Sequence, residues 1–228
     1  MAGKYRLPVL PIPNVVFYPN TALPLLVVEP IYRRMINDCI EKNLNLGIAL
    51  AEPVGVNTKD ARWVPHKICT MGKPIIIEEL PDGSLKVLVR GLARVRLKDI
   101  KQNIPYMIFD AEAIQDFALD ESFDSEGKIE RLSKILDQWV LDFIPDSLER
   151  DSFYHNLVDT KHIVDYVCMF LIQDRELRQL LLENMSLIER IQMLDTLLPG
   201  HYPMNEDALV GRAIKEFEHI EKIASCAH

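Results

Sequence analysis

The sequence predicts an α+β protein in which a curled, mostly antiparallel sheet or small barrel, with one helix inserted, precedes an α-helical bundle. Three observations predict it. Up to residue 115, apolar residues recur with a period of two: Leu85, Val87 and Val89 alternate with Ser84, Lys86, Leu88 and Arg90. Between Gln115 and Gly127 the chain becomes acidic and loses any apolar pattern, through Asp116, Asp120, Glu121, Asp124 and Glu126. Beyond it the apolar period changes to 3.6, as in Ile129, Leu132, Leu136, Trp139 and Phe143. The expected organisation is a strand-rich lobe over 1–115, an acidic linker over 116–126, a helical bundle over 127–200 and a C-terminal amphipathic helix over 201–228.

Taken in order, Leu7 to Pro11 and Leu23 to Val28 are extended segments whose prolines favour edges or strand ends. Pro30 suits the first turn of a short helix carrying Ile31, Met35, Ile36, Cys39 and Ile40 inward. Leu46 to Ala51 is too short for a helix and reads as a buried strand. Lys67 to Leu80, Ser84 to Arg90, Leu92 to Leu97 and Tyr106 to Ile114 complete the sheet. Asp82-Gly83 tolerates the positive φ of a tight two-residue turn. Gly91 interrupts the alternation, so positive φ or a bulge is expected there.

In the second half Pro145 ends the first helix. Thr160 is the expected cap of a helix carrying Ile163, Val167, Phe170 and Leu171. Ser186 with Glu189 reads as a capping box before Leu187, Ile191, Leu194 and Leu198, and Pro199-Gly200 stops that helix. The last helix, from Asn205, places Leu209, Val210, Ala213, Ile214, Phe217, Ile220 and Ile223 on one side, to pack on the bundle or on another chain.

Composition bounds the function. A net charge of −8 argues against nucleic acid as the main partner, although Arg90, Arg94, Arg96 and Lys98, with Lys101 beyond, form a local basic stripe. That stripe is either a solvated strand face or a contact for RNA. The four cysteines, Cys39, Cys69, Cys168 and Cys226, show no paired spacing for zinc or a disulfide framework. No apolar run approaches the roughly 18 residues that cross a bilayer, so a reduced cytoplasmic protein with no membrane partner is expected.

Signals for chemistry are missing. No Gly-Lys pair is followed by Ser or Thr at the spacing of a phosphate-cradling loop, and no Gly-x-Ser-x-Gly elbow occurs. His155 and His162 lie seven apart with Thr160 arguing for a break between them. Asp137, Asp142, Asp146, Glu149 and Asp151 fit ordinary helix charge placement. No catalytic residue, cofactor or metal is expected. For binding, the segment Asn14 to Leu25 combines Phe17, Tyr18, Leu23 and Leu25 with two prolines that would stiffen an aromatic loop; the alternative is that the aromatics plug a barrel end.

Two ordered motifs carry a family resemblance. Leu80-Pro81-Asp82-Gly83 through Lys86-Val87-Leu88-Val89, Gly91-Leu92 and Arg94-Val95-Arg96-Leu97 resembles a signature of the Lon protease N-terminal domain. Leu7-Pro8-Val9-Leu10-Pro11, Val15-Val16-Phe17-Tyr18-Pro19 and Leu23-Pro24-Leu25 are similar to that family's opening, with Pro13-Asn14 where Arg-Asp is frequent. Glu29-Pro30-Ile31-Tyr32 with Met35 is similar to its free-standing members. The resemblance extends over residues 7–199. It implies a PUA-like strand lobe and a non-catalytic module that binds unfolded proteins or peptides, or acts as an adaptor for an ATP-dependent protease. A small-ligand or RNA-binding PUA-like module is the alternative. The Pro-Lys-Asp-Gly-Pro-Ser-Ala run of the family's Ser-Lys protease domain and its ATPase loop are both absent, so no enzyme is expected.

Overall fold

The computed structural model describes residues 4–54, 62–117 and 127–198, and the chain divides into two units between Gln115 and Asp116. The expected C-terminal helix over 201–228 and most of the acidic linker lie outside the described residues.

The first unit holds β1 (Lys4–Ile12), β2 (Ala22–Val27), α1 (Pro30–Glu41), β3 (Leu46–Val54), β4 (Arg62–Pro65), β5 (Ile68–Glu79), β6 (Leu85–Gln102) and β7 (Ile108–Ala113). Five strands close on themselves in the order β1-β7-β6-β5-β3, and β3 returns to β1. That closing pair is parallel, Val9 to Ile12 against Gly47 to Leu50, whereas the other pairings are antiparallel. Every ring strand sends small or aliphatic side chains to the interior: Leu7 and Val9, Ala49, Cys69 and Met71, Val95 and Leu97, and Ala111. Closure removes the open edges that a curled sheet would leave.

β6 is one strand of 18 residues where the sequence predicts two. Its first half pairs with β2, from Leu85 to Arg90; its second half pairs with β7, from Val95 to Gln102. The exchange occurs at Gly91. Its N–H donates to the Thr21 carbonyl at 2.8 Å, and its carbonyl accepts from Asn20 at 3.1 Å. The expected bulge is present beside it: Gly72 faces Gly91 and Met71 faces Ala93, so Leu92 is the extra residue. Positive φ is not; among the described glycines only Gly83 and Gly127 have it. The reason for glycine is instead close approach, since a Cβ there would lie 2.4 Å from the Tyr18 carbonyl oxygen.

The Asp82-Gly83 turn is a three-residue connection, with Leu80 N–H to Ser84 carbonyl at 2.9 Å closing it and Gly83 at φ 79°. Asp82 accepts from both the amide and the hydroxyl of Ser84, at 2.9 and 2.6 Å. Arg33 of α1 reaches the Gly83 carbonyl. α1 buries Met35, Ile36 and Cys39, while Ile31 and Ile40, expected inward, are exposed.

The second unit holds α2 (Lys128–Phe143), α3 (Ser147–Asn156), α4 (Thr160–Phe170), α5 (Arg175–Glu183) and α6 (Leu187–Leu197). Side-chain caps start four of them. Asp146, Asp174 and Ser186 accept from the first turn. For α4 the cap is Asp159, one residue before the expected Thr160. The capping box at Ser186 is half formed: Ser186 accepts from the Glu189 amide at 3.2 Å, while Asn184 takes both reciprocal bonds. α3 and α5 are additions to the expected set. α3 buries little beyond Phe153, which meets Tyr166 edge-on at 4.8 Å. Tyr166, Phe170 and Trp139 continue this aromatic chain into α4 and α2.

Asp116 and Phe117, expected in the linker, are tied to the helices. Phe117 donates its N–H to Met185 at 3.0 Å. Asp116 pairs with Arg190 at 2.9 Å and with Lys161 at 3.0 Å, and Arg190 also binds Asp165 at 3.1 Å. Arg190 and Asp165 are fully buried, so their charges balance one another away from water, while Lys161 reaches Asp116 from the half-exposed side. Among the described residues no helix is long and apolar enough to cross a membrane.

Candidate functional site

Phe17 and Tyr18, the expected aromatic contacts, are 1% and 0% exposed. The Thr70 hydroxyl donates to the Phe17 carbonyl at 2.5 Å and the Thr21 hydroxyl to the Tyr18 carbonyl at 2.7 Å. The rings are thus buried within the strand unit and offer a partner no surface, which corrects the reading of a presented aromatic loop. Leu23 is buried and Leu25 half-buried; in β2 they stand opposite Val89 and Val87 of β6. The outward residue of that strand is Leu26.

The basic stripe is also not assembled. Arg90 stands opposite Lys73 of β5, and Arg94 opposite Thr70. Lys73 and Thr70 are an odd number of residues apart, so the two arginines occupy opposite faces of the sheet. The extra residue Leu92 reverses the parity. Arg94 is 2% exposed, on the face where Thr70 binds the Phe17 segment. Arg96 is half-buried and faces Glu112. Lys98 pairs with Glu112 at 2.6 Å and Lys101 with Asp110 at 3.1 Å. Acids interleave the cations, so the strand presents no continuous positive track for phosphates.

Nor do the described residues gather reactive groups. Burial pushes the thiols of Cys39 and Cys69 up to about 12, which removes them as nucleophiles. Burial raises the Asp137 carboxyl against a hydrogen bond from Tyr154. His162 Nδ1 lies 2.7 Å from its own helix cap, Asp159. Among the described residues no group of three or more His, Cys, Asp or Glu side chains is arranged to hold a metal.

What the strand unit does expose is an apolar ribbon. Beyond Leu50, where pairing with β1 ends, β3 continues with β4: Ala51, Glu52, Pro53 and Val54 face Pro65, Val64, Trp63 and Arg62. Val54, Trp63 and Val64 are 57%, 41% and 49% exposed. Alternation places Val54 and Val64 on one face, which they share with exposed Glu52, and Trp63, beside Pro53, on the other. Sequence reasoning passed over β4 because four residues carry no readable period; the Trp-Val pair bounded by Pro65 is the signal that was available. Leu26, Val28 and Ile31 form a second exposed apolar run where β2 leads into α1.

Comparison with known proteins adds the family context. A family model described as the ATP-dependent protease La (LON) substrate-binding domain matches residues 6–199. The chain is similar to the Lon protease of Brevibacillus choshinensis, 23% identical over 216 residues that cover 94% of this chain and 28% of that protein. It spans about a quarter of the length of the curated relatives it matches. Its fold is similar to that of the Lon N-terminal domain protein from Xanthomonas campestris, with a TM-score of 0.59 and 17% identity over 84% of this chain and 97% of the other. It is likewise similar to the N-terminal domain of Mycobacterium avium complex Lon protease, with a TM-score of 0.61 and 16% identity over 84% and 96%.

Proposed function

Because this chain belongs to the family of ATP-dependent protease La (LON) substrate-binding domains, we propose that it is a non-catalytic protein-binding module that holds unfolded or peptide segments of client proteins. The observation that carries this reading is the family match over residues 6–199, which takes in the described parts of both units. The described chemistry is compatible with it: the two thiols pushed up by burial are inert, and Val54, Trp63 and Val64 are exposed apolar side chains. Non-native polypeptides present apolar side chains that folded proteins bury, so an exposed apolar surface discriminates between the two. In this reading no cofactor takes part, the setting is cytoplasmic, and an ATP-dependent protease receives the clients.

Fluorescence anisotropy tests it, with a labelled, permanently unfolded polypeptide titrated by the whole chain beside the same polypeptide folded. Saturable binding of the unfolded form alone is expected, with neither ATP hydrolysis nor client cleavage in the mixture. Uniform absence of binding across a panel of unfolded proteins removes the reading. Stoichiometric capture of one folded ATP-dependent protease, without client binding, would make the chain an adaptor instead.

A further inference from the structure

Of the nine glycines in the chain only Gly83 follows an aspartate, and none follows an asparagine. An aspartate before glycine is prone to imide formation, because the next residue has no Cβ to shield its backbone nitrogen. The Gly83 nitrogen attacks the Asp82 carboxyl carbon and a C–N bond forms. One carboxyl oxygen leaves as water, taking the carboxyl proton and the amide proton with it. Water then opens the five-membered imide. Cleavage at one carbonyl restores aspartate; cleavage at the other leaves isoaspartate, whose main chain runs through the former side-chain carboxyl. Nothing is oxidised or reduced, and water is the only co-reactant.

The fold opposes each requirement of that reaction. Ring closure needs a protonated carboxyl, since an ionised one carries no proton to leave as water. The Ser84 hydroxyl and amide both donate to Asp82 Oδ1, at 2.6 and 2.9 Å. The hydroxyl bond first, then the amide bond, hold the carboxyl below its ordinary value. Ser84 is buried, so solvent does not compete for these donors. Ring closure also needs the Gly83 amide proton to be released, and that N–H donates to the Leu80 carbonyl at 2.8 Å. The Gly83 carbonyl accepts from Arg33 of α1, so the glycine is held at both of its polar atoms.

We propose that Asp82-Gly83 is a spontaneous isoaspartate site, closed in the native protein by Ser84 and Arg33 and opened when the β5–β6 turn unfolds. Local opening of the turn releases the carboxyl and the amide together. The product does not fit the turn it came from. Isoaspartate adds one backbone carbon to a three-residue connection and draws the carboxylate away from Ser84. The Leu80–Ser84 closure is then lost. With it goes the start of the register, Glu79 opposite Leu85, from which β6 pairs with β5 and β2. The site therefore records the time a chain has spent with this turn open.

The test ages the whole chain at neutral pH, in buffer and in guanidinium chloride, for the same time at the same temperature. Peptide mapping with electron-transfer fragmentation then measures isoaspartate at position 82. The parent is expected to form it at least tenfold more slowly in buffer than in denaturant. Ser84→Ala is expected to form it at least threefold faster than the parent in buffer, and within about twofold of the parent in denaturant. Thermal melting is followed in parallel. Should Ser84→Ala melt near the incubation temperature, Arg33→Gln, which releases only the Gly83 carbonyl, replaces it with the same expectation. Equal rates for the parent in buffer and in denaturant overturn the proposal. A folded variant that ages no faster than the parent also overturns it, because these bonds are then not what closes the site.

Discussion

The phenol of Tyr106 donates to Asp38 Oδ2 at 2.5 Å, joining the β6–β7 connection to α1 across 68 residues of sequence. Lys42 donates to the other carboxylate oxygen at 2.9 Å. The Tyr106 bond, then the Lys42 bond, hold the Asp38 carboxyl below its ordinary value. Burial, followed by the bond to Asp38, pushes the Tyr106 phenol up. A depressed carboxyl contributes stability that is present above its unfolded pKa, about 3.9, and is lost as pH falls through the folded one. Tyr106→Phe is therefore expected to lose about 1–2 kcal/mol near neutral pH. The deficit should shrink in acid below the unfolded value. Urea denaturation of both proteins across that range measures it, and a deficit independent of pH would assign the loss to packing.

Gly91→Ala is expected to destabilise by about 1–3 kcal/mol. Its new Cβ would meet the Tyr18 carbonyl oxygen at 2.4 Å and the Pro19 Cα at 3.0 Å, both backbone atoms that cannot swing aside. Gly127→Ala is the control: nothing lies within 4 Å of its Cβ, but φ is +69°. The left-handed backbone alone costs about 1 kcal/mol. Thermal melts should rank the Gly91 variant lower, and equal melting would remove close approach as the reason for that glycine.

Arg190→Met would leave Asp116 and Asp165 without the cation that bridges them. Breaking one side of a buried ionic network costs about 3–5 kcal/mol. Arg131, paired with Asp195 at 2.6 Å but half exposed, should cost no more than about 1 kcal/mol as Arg131→Ala. Denaturant titration of both variants checks the ordering.

Cys39, Cys69 and Cys168 are buried free thiols. At neutral pH, groups raised to about 12 hold almost no thiolate. Mass-spectrometric mapping after iodoacetamide treatment is expected to find Cys39, Cys69 and Cys168 unmodified in the native protein and alkylated in denaturant. Rapid native labelling of any of the three would mean that its element opens readily.

The fold class and the local rules were legible in the sequence, and the changes of strand neighbour were not. Val95 and Leu97 alternate as the sequence indicates, and Leu187, Ile191, Leu194 and Leu198 are all buried on one face. Gly91 reads as a break in sequence, yet the strand runs through it by exchanging β2 for β7, a change of neighbour that no local pattern encodes. Asp159 and Thr160 are both capping residue types, so their competition is settled only by where the backbone turns. Arg94 counts as exposed if period two is continued from Arg90, and the bulge at Leu92 breaks that count. The aromatics Phe17 and Tyr18 resemble a presented loop until Thr70, 53 residues further on, binds the Phe17 carbonyl. The candidate ribbon depends on β4, which is too short to announce itself.

The parallel closure of β1 onto β3, completed by β7, bears on vectorial synthesis. β1 emerges from the ribosome before the other strands of its unit, but its antiparallel partners are residues 108–112. At 5–20 residues per second that partner follows about 5–20 s later. Throughout that interval Leu7, Val9 and Leu10 have β3 as their earliest shelter, and the barrel cannot shut. A nascent chain of this design thus leaves apolar strand residues uncovered for seconds, and ribosome-bound fragments ending before Ile108 are expected to be protease-sensitive where the complete strand unit is not.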